Sequence, residues 1–124
     1  MSDAETYLEV LRQEFAAEDG SFLLQLRIDF VWDKAAFTRV TEAMRLCCEH
    51  HADAMTLDRW LTGGFWYLYA FVSGHVSHPS FPRVYDQAYY DAACEHLGVL
   101  ADWFLVGLNP NMDGAGFDPL EDQN

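Results

Sequence analysis

Apolar residues recur at helical spacing along most of the chain. Over residues 2–17, Leu8, Leu11 and Phe15 form one stripe while Glu5, Glu9 and Arg12 lie toward water. Ser2, with Glu5 three residues on, gives a capping-box start. Glu18-Asp19-Gly20 supplies the stop, and Gly20 suits the left-handed cap. A further helix starts at Asp33 and reaches Ala52. Its stripe is Phe37, Val40, Met44, Cys47 and His51, with Glu42, Arg45 and Glu49 on the other faces.

Between them, residues 21–32 carry two patterns at once. Phe22, Leu24, Leu26, Ile28, Phe30 and Trp32 alternate as a strand would. A helix capped by Ser21, with Leu23, Leu26 and Phe30 on one face, fits equally. A lone strand leaves its backbone unpaired, and no second segment alternates cleanly, although 65–73 or a second copy of the chain would serve as its partner. The balance falls to the helix.

From Trp60 to Pro82 no Asp or Glu, and no Lys or Arg, interrupts WLTGGFWYLYAFVSGHVSHPSFP. Read as a helix over 57–77, it has three faces. One carries Trp60, Gly64, Tyr67, Phe71, His75 and His78; another carries Leu61, Phe65, Leu68, Val72 and Val76; the last carries Trp66, Tyr69, Ser73 and Ser77. A helix apolar all round belongs at the centre of a bundle, and Gly63-Gly64 marks where a neighbour crosses closely. A membrane span needs about 20 apolar residues, more than Phe65–Val72 offers, so no span is expected. Pro79 and Pro82 bracket a turn. Arg83–Gly107 then forms a long helix with the stripe Tyr85, Tyr89, Ala92, His96, Leu100 and Trp103, stopped at Gly107. The expected architecture is mainly α: a single-domain bundle of four to five helices over residues 1–108. A flexible acidic tail, 109–124, follows.

Charge changes this picture. The net charge is −13 in 124 residues. Residues 1–20 hold six acids against Arg12, 21–108 hold ten against six bases, and 109–124 hold four against none. With one lysine in the chain, no basic patch exists to neutralise phosphates, which argues against direct nucleic-acid contact. An acidic surface steers toward a basic protein or simply keeps the chain soluble. Three cysteines, two of them adjacent as Cys47-Cys48, form no disulfide framework. With an acidic N-terminus unlike an export signal, they point to a reducing cytoplasm.

Candidate chemistry is sparse. Cys47 and His51 lie one turn apart, and His96 on the last helix with His75 or His78 would complete a tetrahedral set suited to zinc. No Cys-x-x-Cys or His-Glu-x-x-His supports it, and the same residues serve equally as core histidines and a small apolar thiol. His75 and His78, in the last turn before Pro79, suit imidazolium capping of free carbonyls. No nucleotide, phosphate or catalytic signature is present. The aromatic run packs a core or lines a ligand pocket, while Trp66 and Tyr69, with Glu5, Glu9 and Glu14, are candidates for partner contact. The expected function is a small acidic protein-binding module of inhibitor, immunity or regulatory type, acting on a basic protein and needing no cofactor. The alternatives are a metal- or small-ligand-binding bundle, including a hydrolytic enzyme using Cys/His ligands, and a structural subunit of a homo-oligomer.

Overall fold

The computed structural model describes the backbone of residues 3–110 and the side chains of 6–110. The Ser2 cap and all of the expected tail beyond Pro110 lie outside the described residues. The fold is helical: α1 (Asp3–Phe15), α2 (Phe22–Leu24) running into a π-helical turn (Gln25–Asp29), α3 (Lys34–His50), α4 (Arg59–Ser77) and α5 (Gln87–Val106).

Local chemistry sets most boundaries. Asp33 caps α3 by accepting the Ala36 N–H at 3.1 Å, which holds its carboxyl below the usual range. Gly107 ends α5 at φ +84°, its N–H donating to the Trp103 carbonyl. α1 ends differently from expectation. Glu18 N–H donates to the Gln13 carbonyl and Ala17 N–H to Glu14, a Schellman pattern whose left-handed residue is Ala17 (φ 53°), not Gly20. Gly20 is also left-handed, but it turns the chain into α2.

Residues 22–29 are helical, and no strand occurs among the described residues. The start of α2 is built from a distance. Glu14 reaches from α1 to accept the Phe22 N–H at 2.9 Å, while Ser21 Oγ accepts from Leu24. The widened turn then delivers Phe30 at φ 57°, left-handed for a bulky aromatic. That conformation costs roughly 1–2 kcal/mol. Its result is that Trp32 points inward. The indole sits within 6 Å of the rings of Phe22, Phe37, Tyr89 and Tyr90 and donates to Tyr89 Oη at 3.0 Å. Nearby, Lys34 lies 4.0 Å from the Tyr85 ring and 4.5 Å from Tyr89, a cation–π clasp between the starts of α3 and α5.

Helix order follows from side-chain pairs. α1 is antiparallel to α3, with Tyr7 on His50 and Glu14 near Arg39. α3 is parallel to α5, where Cys48 meets the Leu100 carbonyl and His51 meets Phe104. α4 is antiparallel to α5, with Phe65 stacked on Phe104 and Tyr69 over Gly98. α1 touches α4 through Arg12 and Phe15. A Cβ at Gly64 would fall 2.0 Å from the Phe15 ring, whereas Gly63 faces open space. The double glycine is therefore the crossing point, carried by one of its two residues. α5 starts later than expected because Tyr90 Oη accepts the N–H groups of Val84 and Tyr85, holding them in a loop.

Two stability changes follow. Ala17→Gly removes the left-handed penalty and should raise unfolding free energy by about 0.5–1 kcal/mol in urea titration. Gly64→Ala should lower it by about 1–3 kcal/mol, because Phe15 has to leave its seat. A neutral Gly64→Ala variant would show that α1 yields freely there.

Candidate functional site

α4 buries one face only: Leu61, Phe65, Leu68, Val72 and Val76. The expectation of an all-round buried central helix is corrected by its surroundings, since its main partner is α5 and α1 meets it at a single crossing. Its other two faces leave aromatic rings in view, with Trp66 58% and Tyr67 45% exposed. On one side Tyr67, Phe71 and His75 stack in succession at i, i+4 spacing, with ring centroids 5.7 and 5.1 Å apart. Phe30 caps this ladder, 5.4 Å from His75.

On the other side, α4 and α5 form a seam. The Ser73 hydroxyl donates a hydrogen bond to the Cys94 sulfur, and the Tyr69 ring lies 3.3 Å from where a Gly98 Cβ would stand. Antiparallel register places Trp66, one turn before Tyr69 on α4, level with Ala101 and Asp102. Along α5 the exposed acids Asp91, Glu95 and Asp102 share one helical face with Gly98, at steps of 4, 3 and 4. Tyr69 thus lies across the gap in an acid row, and Trp66, 6.1 Å from it, stands at the row's end. α5 contains no Lys or Arg, and α4 only Arg59.

The bases of the chain are mostly committed inside. Arg12 binds Glu9 and covers Trp60, and Lys34 is held over Tyr85 and Tyr89. Arg39 reaches Glu14 and the Gly20 carbonyl, and Arg45 lies between Glu42 and Glu49. Arg83 donates to the Val76 carbonyl at 2.6 Å. Cations so occupied leave the outer potential to the acids.

A concave space of about 790 Å³ opens beside the C-terminal end of α4, lined by Phe30, Phe71, His75, Phe81 and Pro82, with Gly74 beneath. His75 Nε2 is shut from water and has no hydrogen-bond partner. Burial, then the nearby His78, holds this imidazole below its usual pKa.

Of the residues anticipated as metal ligands only Cys47 and His51 meet, Sγ to Nδ1 at 3.7 Å, and the full set is not brought together. Cys47 is fully buried, and His51 Nδ1 donates to the Cys47 carbonyl at 2.8 Å. His96 lies near Glu42 and is lowered by burial. His75 and His78 sit at the end of α4, away from both. Among the described residues no group of three His, Cys, Asp or Glu is placed to hold a metal ion. The histidines do not cap α4 as expected. Arg83 takes the Val76 carbonyl, and His78 Nδ1 accepts the Ser80 N–H. Of the anticipated partner-binding residues, Trp66 is exposed and Tyr69 half-buried. Glu9 is exposed but paired with Arg12, and the Glu5 side chain lies outside the described residues. Glu14 is corrected outright. At 2% exposure it is an interior carboxylate that accepts the N–H groups starting α2. The acid row and Phe30 were not singled out from sequence. The spacing 91–95–98–102 was the available signal for the first; nothing local announces the second.

Among the described residues no helix is long and apolar enough to cross a membrane. No family matches the sequence, and neither curated proteins nor solved structures match it significantly.

Two measurements test the interior groups. Burial pushes the Cys47 thiol up to about 12 and raises Cys48 and Cys94 as well, but only Cys94 is partly exposed. A thiol reagent should label Cys94 first, and Cys47 and Cys48 only at the rate of global unfolding; prompt labelling of all three would contradict the core. For Glu14, burial outweighs its hydrogen bonds and Arg39, raising its pKa above 4.5. The folded chain then binds more proton there, so its contribution is fullest near and below 4.5 and falls as pH rises through the folded value. Wild type should lose stability relative to Glu14→Gln across that rise; a pH-independent difference would refute the shift.

Proposed function

We propose that the chain is a small acidic protein-binding module that docks on a basic protein partner through the α4–α5 seam. The observation that supports this most directly is the exposed Trp66 beside the half-buried Tyr69, set among Asp91, Glu95 and Asp102 with no base on α5. An aromatic face beside carboxylates attracts a guanidinium or ammonium by cation–π and charge-assisted contact together. Tryptophan and tyrosine are also the side chains that most often anchor interfaces. The overall charge of −13 adds long-range steering toward a positive partner. Inhibitor, immunity-type and regulatory roles all share this mode of contact, and the residues named here are common to them.

The test uses a short amphipathic Leu/Arg peptide and its uncharged citrulline counterpart, titrated against the isotope-labelled protein. The arginine peptide should shift the Trp66 indole and the amides of 91–102, and bind more weakly as salt rises. Trp66→Ala and Glu95→Gln should each weaken it by about tenfold, while Glu18→Gln, on an unrelated surface, should not. Equal binding of the citrulline peptide, or shifts that avoid the seam, would overturn the assignment.

A further inference from the structure

The pocket at the C-terminal end of α4 lies apart from the seam and carries three features that are unusual together. Its lining contains no Asp, Glu, Lys or Arg, and its volume of about 790 Å³ suits a small molecule. One wall is Phe30, a bulky residue held left-handed and 52% exposed, where glycine is the ordinary choice. Behind that wall, the His75 ring is stacked between Phe30 and Phe71, and Phe81 meets it edge to face at 5.5 Å. A buried polar atom without a partner is rare in folded proteins. A non-glycine residue in a strained backbone well persists where surrounding structure imposes it, and such residues cluster at ligand clamps. Here the two costs touch each other, because the strained ring covers the ring that holds the orphan nitrogen.

We propose that this pocket binds an uncharged, flat, ring-containing small molecule bearing one hydroxyl, with Phe30 as a strained flap over His75. The ring extends the aromatic ladder of Tyr67, Phe71 and His75 by stacking. When the Phe30 side chain rotates off His75, its backbone staying left-handed and Trp32 staying seated, Nε2 is uncovered and accepts the hydroxyl of the ligand. The binding event therefore satisfies the buried nitrogen. Gly74 sets the available depth. A Cβ there meets nothing within 4 Å, so the helix is open toward the pocket at that point.

The experiment compares 2-naphthol with naphthalene, following the His75 imidazole nitrogen resonances and the Phe30 amide by NMR. 2-Naphthol should bind about tenfold more tightly, the worth of one well-made hydrogen bond, and should move both signals. His75→Phe keeps the stack and should erase the preference while leaving naphthalene binding intact. Gly74→Leu fills the pocket at a site with room for it and favours the helix, so it should remove binding of both probes without loss of fold by circular dichroism. Equal affinities in the wild type, no binding of either probe, or unchanged binding in Gly74→Leu would each overturn the proposal. Peptide binding at Trp66 is independent of every one of these outcomes.

Discussion

The indole of Trp32 is the joint on which the bundle depends. It touches α2 through Phe22, α3 through Phe37 and α5 through Tyr89 and Tyr90, and it closes that contact with a hydrogen bond. Its position is reached only because the π turn and the left-handed Phe30 redirect the chain inward. Tyr90 in turn holds the loop that brings Arg83 to the end of α4. One strained residue is thus tied twice to the C-terminal end of α4, through these packed rings and by its own stack on His75. Strain of that kind survives because many contacts over-determine it.

α4 stands outside this joint. It is fixed by α5 along one face and crossed by α1 at the Gly64 notch, and Trp66 and Tyr67 have no covering element among the described residues. That arrangement separates two surfaces with different chemistry. The α5 side offers aromatics among acids, and the Phe30 side offers aromatics without charge. A helix so rich in rings is usually explained by burial, and here burial accounts for only five of its residues.

The four long helices were legible because their signals are local: stripes at steps of three and four, Asp33 before α3, Gly107 after α5. The two glycines at 63–64 also announced a crossing. What the sequence hid was set by distant groups. Glu14 looks like a surface acid by its place in an acidic segment, yet its carboxylate is spent on the N–H groups of Phe22 and Leu23. The helical stripe Leu23, Leu26, Phe30 was half right. Leu23 and Leu26 are buried, and the wider π turn swings Phe30 off that face. The candidate metal residues shared a pattern of spacing within each helix, but pattern along a helix does not fix which helices meet or in which direction. The parallel course of α3 and α5 turns His96 toward Glu42 on α3 and not toward the histidines of α4.

The negative charge has a consequence for how copies of this molecule treat each other. An uncovered row of aromatic rings is ordinarily a sticky surface. Any face-to-face approach across the α4–α5 seam brings two rows of carboxylates within a Debye length, and their repulsion opposes contact before the rings can meet. With five of the seven bases occupied by partners within the chain and none on α5, little positive charge on that face softens the approach. The acid row is therefore also a colloidal guard. It lets the protein carry an open aromatic patch at high concentration while reserving that patch for a surface of opposite sign.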